Sequence, residues 1–487
     1  MARKMFTFLG VAVYQPCTYE MGSFRSKERR FTSLAILDIL QQQSGPWGPD
    51  DRLIVFATPK AKADNWDQTT RERKQGDKNV PYETLEAALT SGRETFPFKY
   101  EFRLIESEHA TAAADQWKLF NQIAELIHDG DEVYFDISFG FRFLPVMASA
   151  IWTYVRTLRR DVKLGGVYYG AYEAGQSNAP DAQSNGQSKR IAPLVDITSM
   201  VRLGEWANAV TLFDRAGDLS MLEELTRETW KSVYGSPSME SGTVRQIRKI
   251  ISELGNLVDA LATCRMAAPT PPPSEKNADN KAHGRKDKST FARVKNLADL
   301  FEELNQYAIP SDNELAPITS LFSKIGHLIE QLRTDDRVEH YWSAAQWCVG
   351  HNRIQQAYTF LLEGVVSKIC IEALGEEKTN DEKARTLVTT LINHVNQKKE
   401  DGIASLSTKY SPDIWNPIYE YVMKLEKSIV GILDSLRSSR NDMMHGGMND
   451  DPSDPEALKS KIKSFLEQLH PSYEYFKCPR SSSELSI

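Results

Sequence analysis

The sequence lacks the short motifs that mark several large enzyme classes. It has no Gly-x-x-x-x-Gly-Lys-Ser/Thr loop for nucleoside triphosphates, no Gly-x-Gly-x-x-Gly fingerprint for dinucleotides and no Gly-x-Ser-x-Gly nucleophile turn. Its nine His residues form no His-x-x-x-His pair and no Glu-flanked metal-binding pattern. These absences argue against a P-loop NTPase, a nicotinamide-dependent enzyme and a catalytic metal site.

Cysteine and long apolar runs are also scarce. The five Cys residues have no paired spacing, which argues against zinc clusters and a disulfide framework and favours a reducing compartment. The longest apolar run, Phe143 to Val155, is too short to span a membrane. The apolar stretch before Gly10 is too short for a signal peptide. We therefore expect a cytoplasmic protein with no membrane contact.

The composition is that of an ordinary folded protein. A chain of 487 residues with 41% hydrophobic residues is long enough for two to four domains with substantial cores. The net charge of -7 provides no overall basic field, so any contact with nucleic acid has to be local.

Over residues 1–197 the pattern alternates between strands and helices. Strands are predicted at Met5–Leu9, Leu53–Thr58, Tyr100–Ile105, Glu132–Ile137, Gly166–Tyr172 and Ile191–Ile197. Helices are predicted at Phe31–Gln42, Ala110–Ile127 and Leu144–Leu158. This rhythm indicates an α/β Rossmann-like domain, a parallel sheet covered on both faces, with ligands bound at the carboxyl ends of the strands. A polar segment, Ala174–Arg190, is expected to be a surface loop.

From residue 198 onwards the pattern is helical. Residues 198–335 form a predicted helical connector, interrupted at about 267–288 by a segment that is poor in apolar residues and expected to be disordered. Residues 336–487 form a last helical block, in which Pro417–Met444 is predicted as one long helix. The sequence shows no internal repeats.

An Arg and a His stand five residues apart near the end of that long helix. The segment from Arg440 through Asn441 to His445 is followed by Gly446-Gly447, a predicted helix stop. On a straight helix Arg440 and His445 lie about 140° apart around the axis, so they meet at one phosphate only if the helix bends or a second subunit completes the site. The alternative is that Arg440 pairs locally, with Asp442 as a near neighbour, and that His445 is a surface residue.

Two groups of residues resemble known families. The helical block that ends in Arg-Asn-x-x-x-His resembles the HEPN ribonuclease superfamily. At the other end, Met5 to Glu20 resembles the opening of the CARF domains of CRISPR-associated proteins, and Phe56 to Ala61 resembles their second strand and turn. Asp136 to Arg142 lies where that family has Asp-x-Thr-His-Gly, and Tyr168 to Glu173 resembles the next strand.

Together the two resemblances imply a type III CRISPR accessory ribonuclease with CARF and HEPN domains, in which a cleft across a dimer binds cyclic oligoadenylate, with cyclic tetra-adenylate as the expected activator. The candidate ligand-binding residues are Gly10, Val11, Ala12, Tyr14, Lys60, Ser138, Phe139, Gly140, Phe141 and Arg142. Ser138 and Phe139 replace the family's Thr and His. Loss of the His argues against ligand cleavage through position 139.

Several of these ligand candidates have a simpler interpretation. Phe141 is compatible with a core position, and Tyr14 with packing inside its own loop. Lys60 is equally compatible with a solvated surface residue, and Gly140 with a turn between strand and helix.

The expected activity is cleavage of single-stranded RNA without metal or other cofactor, by a homodimer or a higher oligomer of dimers. His445 is expected to transfer protons, Arg440 to neutralise charge on the phosphate and Asn441 to orient the reacting groups. The products would be a 2′,3′-cyclic phosphate and a 5′-hydroxyl. Two other classes stay open, a CARF-type regulator without catalysis and a HEPN toxin of a toxin–antitoxin pair.

Overall fold

The structure is a computed structural model that describes residues 2–67, 71–75, 78–90, 96–177, 190–233, 242–266, 289–307, 315–448 and 452–470. The chain divides into two compact units, Met1–Glu205 and Trp206–Ile487. The segment at 267–288, predicted to be disordered, lies outside the described residues, as does most of the polar segment after Ala174.

The N-terminal unit is built on one large mixed sheet and a separate two-stranded hairpin. Along the large sheet the strand order is β3-β2-β11-β9-β8-β1-β4-β7, with β10 paired to β11, and the hairpin is β5-β6. The strands are β1 (Arg3–Leu9), β2 (Cys17–Met21), β3 (Phe24–Arg29), β4 (Arg52–Ala57), β5 (Arg71–Gln75), β6 (Lys78–Tyr82), β7 (Lys99–Leu104), β8 (Glu132–Asp136), β9 (Lys163–Gly170), β10 (Gln176–Ser177) and β11 (Arg190–Asp196).

The prediction of an α/β domain is confirmed, but the prediction of a wholly parallel sheet is wrong at one side. Strands β9, β8, β1, β4 and β7 run parallel to their neighbours. By contrast β11 is antiparallel to β9, and β3 is antiparallel to β2. Among the described residues between β9 and β11 there is one short 3₁₀ turn, Tyr172–Ala174, and no α-helix. A parallel pairing needs a crossover, usually a helix, so the chain returns antiparallel instead.

Both faces of the central strand β1 are buried. Met5 and Leu9 belong to the hydrophobic core on one face, together with residues of the first helix. Phe6 and Phe8 belong to the core on the other face, with residues of two later helices. Alternate side chains of a strand point to opposite faces, so β1 reads as an unbroken apolar run. The helices of this unit are α1 (Thr32–Ser44), α2 (Pro59–Asn65), α3 (Leu85–Thr90), α4 (Ala113–Glu125) and α5 (Leu144–Leu158).

The second unit is all helical in its described part and has one continuous hydrophobic core. Buried residues from Trp206 to Leu469 form a single cluster, which includes members of both the predicted connector and the predicted last block. The boundary at 335/336 stays a prediction. The helices are α6 (Thr198–Ala216, which begins in the first unit), α7 (Ser220–Val233), α8 (Gly242–Ala262), α9 (Thr290–Asn305), α10 (Leu315–Glu330), α11 (Arg337–Gly350), α12 (Ile354–Leu374), α13 (Glu382–Asn396), α14 (Glu400–Lys409), α15 (Pro412–Lys424), α16 (Lys427–Met444) and α17 (Pro455–Gln468).

The prediction of one helix over Pro417–Met444 is wrong, because the chain becomes extended between α15 and α16. Leu425 has ψ 144° and Glu426 has ψ 142°, both outside the helical range. Leu425 is buried, so the apolar stripe that predicted one helix continues across the break. Across the described ranges, no helix has the length and apolar character needed to cross a membrane.

Candidate functional site

The carboxyl ends of β1 and β8 lie side by side in the N-terminal unit, at the position where an α/β sheet has its ligand crevice. The two strands are parallel neighbours in the sheet, and the helical connections near them lead in opposite directions: α1 leads to β4 beyond β1, and α5 leads to β9 beyond β8. Such a change of direction opens a crevice beyond the strand ends, where α/β sheets bind ligands. Here the two loops approach closely, since a Cβ atom built on Gly10 would lie 3.8 Å from the backbone nitrogen of Gly140. The structure therefore brings the predicted loops after β1 and β8 together.

Gly140 is required by its backbone and by its surroundings. Its φ of +98° is in the region that L-residues rarely adopt. An added Cβ would lie 2.7 Å from Leu144 Cδ1 and 3.0 Å from Phe8 Cβ. Gly140 thus forms the turn between β8 and α5, and Leu144 and Phe8 fill the space that a side chain would need.

Asn65, at the end of α2, holds the loop after β1. Its side-chain amide is fully buried and donates hydrogen bonds to the carbonyl oxygens of Gly10 at 2.6 Å and Ala12 at 3.1 Å. The Tyr82 hydroxyl donates to the Asn65 side-chain oxygen and accepts the Tyr14 backbone N–H at 3.3 Å. These contacts link three separate segments of the chain at the crevice.

Tyr14 packs inside the loop rather than standing open to the crevice. Its side chain is 4% exposed, and its hydroxyl accepts the Gly10 N–H at 2.6 Å. Its ring lies 4.2 Å, centroid to centroid, from the ring of Phe139 and 5.4 Å from that of Phe31. The structure thus favours the simpler interpretation for Tyr14, whose ring packs between those of Phe31 and Phe139.

Asp136 ties together the ends of three strands. Its buried carboxylate accepts hydrogen bonds from the Thr7 hydroxyl at 2.8 Å and from the Ser138 hydroxyl at 2.6 Å. The Ser138 hydroxyl in turn accepts the Gly170 N–H at 2.8 Å. Burial raises the pKa of the Asp136 carboxyl, and the hydrogen bonds from Ser138 and Thr7 oppose that rise. The Ser138 hydroxyl therefore joins the ends of β8 and β9 through its two hydrogen bonds.

The remaining candidates differ in how accessible they are. Arg142, Val11 and Ala12 are exposed, and Arg142 has no ion-pair partner among the described residues. Phe141 is stacked on Phe143 at 5.1 Å between ring centroids and packs against the core, as the simpler interpretation proposes. Lys60 is exposed in the first turn of α2, where its backbone N–H donates to Glu108 Oε1 at 2.7 Å.

Comparison with known proteins identifies this unit. Residues 4–173 match the family model described as "CRISPR system endoribonuclease Csx1, CARF domain". The N-terminal unit is a CARF domain. A similar protein is CRISPR-associated protein MJ1674 of Methanocaldococcus jannaschii, 26% identical over 150 residues, which are 30% of this chain and 22% of that protein. The chain thus spans about a fifth of the curated relative it matches, and the family match ends before the helical unit begins.

In the helical unit, α16 ends at the predicted stop. His445 is its C-cap residue, and Gly446 and Gly447 follow with φ of +66° and +70°. The Gly447 N–H donates to the carbonyl oxygen of Asp442 at 2.9 Å, a bond that closes the last turn. The exposed His445 side chain is thus held at a defined helix end.

A cavity of about 410 Å³ lies beside this helix end. It is lined by Ser435, Ser438, Ser439, Asn441, Asp442, His445, Met448, Ser453 and Lys461. The α16 members share one helix face, and Asn441 and His445 stand one turn apart on it. The structure therefore brings two of the three predicted catalytic residues to one polar cavity.

Arg440 is not among the residues that line this cavity. Its Nη1 donates to the Asn441 side-chain oxygen at 3.2 Å, while its buried Nε has no hydrogen-bond partner within the described ranges. Burial raises the pKa of the Cys264 thiol, and the Thr359 hydroxyl and the positive charge of Arg440 oppose this rise. Arg440 has no ion pair with Asp442 or any other described carboxylate. One chain therefore does not bring Arg440 and His445 into the same cavity.

Two residues of these sites were not predicted as site residues. Asn65 appears in the sequence only as part of the CARF-like second turn, and its contacts with the loop after β1 depend on the packing of α2. Lys461 is one of several lysines on α17, and nothing in the sequence relates it to the Arg440–His445 segment.

Proposed function

We propose that this chain is a cyclic-oligoadenylate-activated endoribonuclease of type III CRISPR antiviral defence that cleaves single-stranded RNA. The observation that carries the proposal is the combination of a CARF domain with a second site where Asn441 and His445 share a polar cavity. A sensor domain and a site with groups suited to RNA cleavage in one chain support ligand-gated cleavage.

The activator is proposed to bind at the crevice between the loops after β1 and β8, with cyclic tetra-adenylate as the first candidate. The two loops come close together at Gly10 and Gly140, and Arg142, two residues after Gly140, is an exposed cation that could bind a phosphate. The contacts of Tyr14 and Ser138 give these two residues the role of positioning the loops rather than contacting adenine.

Cleavage is proposed to use the substrate's own 2′-hydroxyl as nucleophile. His445 removes the 2′-hydroxyl proton while water protonates the departing 5′-oxygen, or water takes the first proton while His445 supplies the second. In either case the O2′–P bond forms as the P–O5′ bond breaks. Arg440 neutralises the charge that grows on the phosphate, and Asn441 orients the phosphate or the imidazole. The products are a 2′,3′-cyclic phosphate and a 5′-hydroxyl, and no metal or other cofactor takes part.

The active site is proposed to form between two subunits. On α16, Arg440 and His445 lie about 140° apart, and only the His445 side lines the cavity. In a homodimer, Arg440 of one subunit can approach the cavity that contains His445 of the other. Activator binding then needs only to favour the dimer arrangement in which the two meet.

The test is RNA cleavage by wild type and by His445→Ala, with EDTA present, against a panel of cyclic oligoadenylates. Wild type should cleave only with a cyclic oligoadenylate, and His445→Ala should lose at least a hundredfold in rate. Equal cleavage by the two would reject the site assignment, and a wild type that needs added metal would reject the mechanism. Cleavage without activator would favour the toxin, and absence of cleavage would favour a regulator.

A further inference from the structure

The cavity beside His445 contains a cation that the proposed chemistry does not use. Lys461 of α17 lines the cavity, is exposed and has no carboxylate partner among the described residues. By contrast Lys459, two residues before it, pairs with Glu456 Oε1 at 3.1 Å. An ammonium group that lines a polar cavity and has no carboxylate partner in the described ranges is suited to an anionic ligand.

The connection between α16 and α17 lies at the His445 end of the cavity. The backbone N–H of Ser453 donates to Asp442 Oδ2 at 3.0 Å, which joins the start of α17 to the end of α16. Lys461 lies about two turns along α17 from this link, and Ser435 lies about two turns back along α16. Ser435 marks an end of the cavity about 15 Å along the α16 axis from His445, and we assign Lys461, two turns from the link on α17, to the same end.

The other groups at that end are hydroxyls. Ser435 and Ser438 lie one turn apart on the cavity face of α16 and provide hydrogen-bond donors for phosphate oxygens. Among the described residues that line the cavity, the one carboxylate, Asp442, lies nearer to His445, where it accepts the Ser453 N–H. The cavity thus has a cationic, hydroxyl-rich end and a separate end with the imidazole.

We infer that Lys461, with the Ser435 and Ser438 hydroxyls, forms a subsite for a phosphate of the RNA backbone that is not the phosphate cleaved at His445. The separation of about 15 Å along α16 exceeds the spacing of neighbouring phosphates, so at least one nucleotide lies between the two positions. The subsite rests on the proposed function for the identity of its ligand. In this proposal, Lys461 binds the RNA and positions the strand along the cavity, and it takes no part in proton transfer.

The experiment measures RNA binding by the full chain in a His445→Ala background, with cyclic tetra-adenylate saturating and several KCl concentrations. Fluorescence anisotropy with a short single-stranded RNA compares Lys461→Ala with Lys463→Ala. Lys463 is a matched control, because it is exposed on the same helix, about 160° around the axis, and does not line the cavity. Lys461→Arg tests whether a cation alone is sufficient, and melting temperatures check that all variants fold.

Lys461→Ala should weaken RNA binding about three- to tenfold and reduce the slope of log K against log salt by about 0.7, the value for one phosphate contact on a single strand. Lys463→Ala should change affinity less than about twofold, and Lys461→Arg should retain most of it. In the catalytically intact chain, Lys461→Ala should raise KM by a similar factor with little change in kcat.

Failure of the subsite is distinguishable from failure of the proposed function. If wild type cleaves RNA while Lys461→Ala and Lys463→Ala bind alike, the subsite is wrong and the nuclease stands. If the chain binds RNA without cleaving it, the nuclease proposal fails, and the comparison of the two lysines still decides whether Lys461 contacts phosphate. If the chain binds no RNA, both fail.

Discussion

The buried side-chain amide of Asn65 donates one hydrogen bond to the carbonyl oxygen of Gly10 and another to that of Ala12. The loop that follows β1 is thereby fixed by a residue from the end of α2, and not by its own sequence alone. Any ligand that enters the crevice meets a loop whose conformation is already set.

Replacing Asn65 by Asp should impair activator binding more than replacing it by Ala. Aspartate offers no N–H donor and sets a negative charge against two carbonyl oxygens in a buried position, at a cost of about 1–3 kcal/mol or more. Isothermal titration with cyclic tetra-adenylate should show at least a tenfold loss of affinity for Asn65→Asp. Lys62→Ala, a change at a half-buried residue of the same helix that pairs with Asp67, is the control. Equal affinities for wild type and both Asn65 variants would contradict the assigned role.

Substitutions at Ser138 and Arg142 should have different effects. A change at Ser138 should lower stability, and a change at Arg142 should weaken ligand binding. Ser138→Ala removes a donor to the buried Asp136 carboxylate and an acceptor for the Gly170 N–H, so the free energy of unfolding should fall by about 1–3 kcal/mol. Ser138→Thr keeps the hydroxyl and should restore most of it. Arg142→Ala, at an exposed position, should leave the melting temperature unchanged and weaken activation. Unchanged activation in Arg142→Ala would remove Arg142 from the crevice.

The Ser138 effect should depend on pH. Because the Ser138 hydrogen bonds oppose the raised pKa of Asp136, they stabilise the charged carboxylate. The stability deficit of Ser138→Ala should therefore be largest at a pH where Asp136 is ionised in wild type. It should shrink as the pH falls and the carboxyl becomes protonated in both proteins. Melting temperatures of the two proteins at a series of pH values measure this difference.

Mixing two inactive variants should restore activity if the active site forms between subunits. In a heterodimer of Arg440→Ala and His445→Ala subunits, one of the two sites has both mutations and the other has neither. Random exchange should then give roughly a quarter of wild-type activity. Each variant alone should be inactive under the same conditions. A mixture as inactive as its components would show that Arg440 and His445 act from one chain.

His340 should make the helical unit less stable in mild acid. It is buried, its Nδ1 lies 3.0 Å from the Leu332 carbonyl oxygen and its Nε2 lies 3.1 Å from the Thr290 hydroxyl. Burial lowers the pKa of His340 from 6.5 to about 4, while the Leu332 carbonyl opposes the shift. The unfolded chain thus binds the proton more readily, and stability falls as the pH decreases from 6.5 towards 4.

At pH 5 this linkage should cost about 2 kcal/mol relative to neutral pH. Melting temperatures of wild type and His340→Gln between pH 7 and pH 5 measure it, since the variant has no imidazole to protonate. His327→Gln, at an exposed histidine, is the control. A pH dependence that is the same in His340→Gln and wild type would contradict the assignment.

The sequence predicts the centre of the sheet well because burial there dominates the pattern. β1 and β8 are apolar on both faces, and α5 follows a glycine that its surroundings require. The β2–β3 hairpin was missed because β3, Phe24-Arg-Ser-Lys-Glu-Arg29, is an edge strand with one buried residue. Edge strands of this kind have many charged residues and a weak alternating pattern.

For the two sites, the sequence predicts which residues are present better than it predicts which residues they contact. Helical periodicity alone predicts that Arg440 and His445 point in different directions. In the structure His445 lines the cavity and Arg440 does not. The burial of Tyr14 and the two bonds made by the Ser138 hydroxyl depend on neighbours that are distant in sequence, Tyr82 and Gly170 among them. Local patterns contain no information about such partners.

The extended residues Leu425 and Glu426 also bear on how the chain tolerates changes in length. Because they interrupt the helix, a residue inserted in α15 need not alter the rotation of α16. An insertion within α16, between Glu426 and Arg440, would instead turn everything beyond it by about 100° and carry His445 away from its cavity. Among naturally varying relatives, length differences should therefore accumulate before the break and be absent from the helix that follows it.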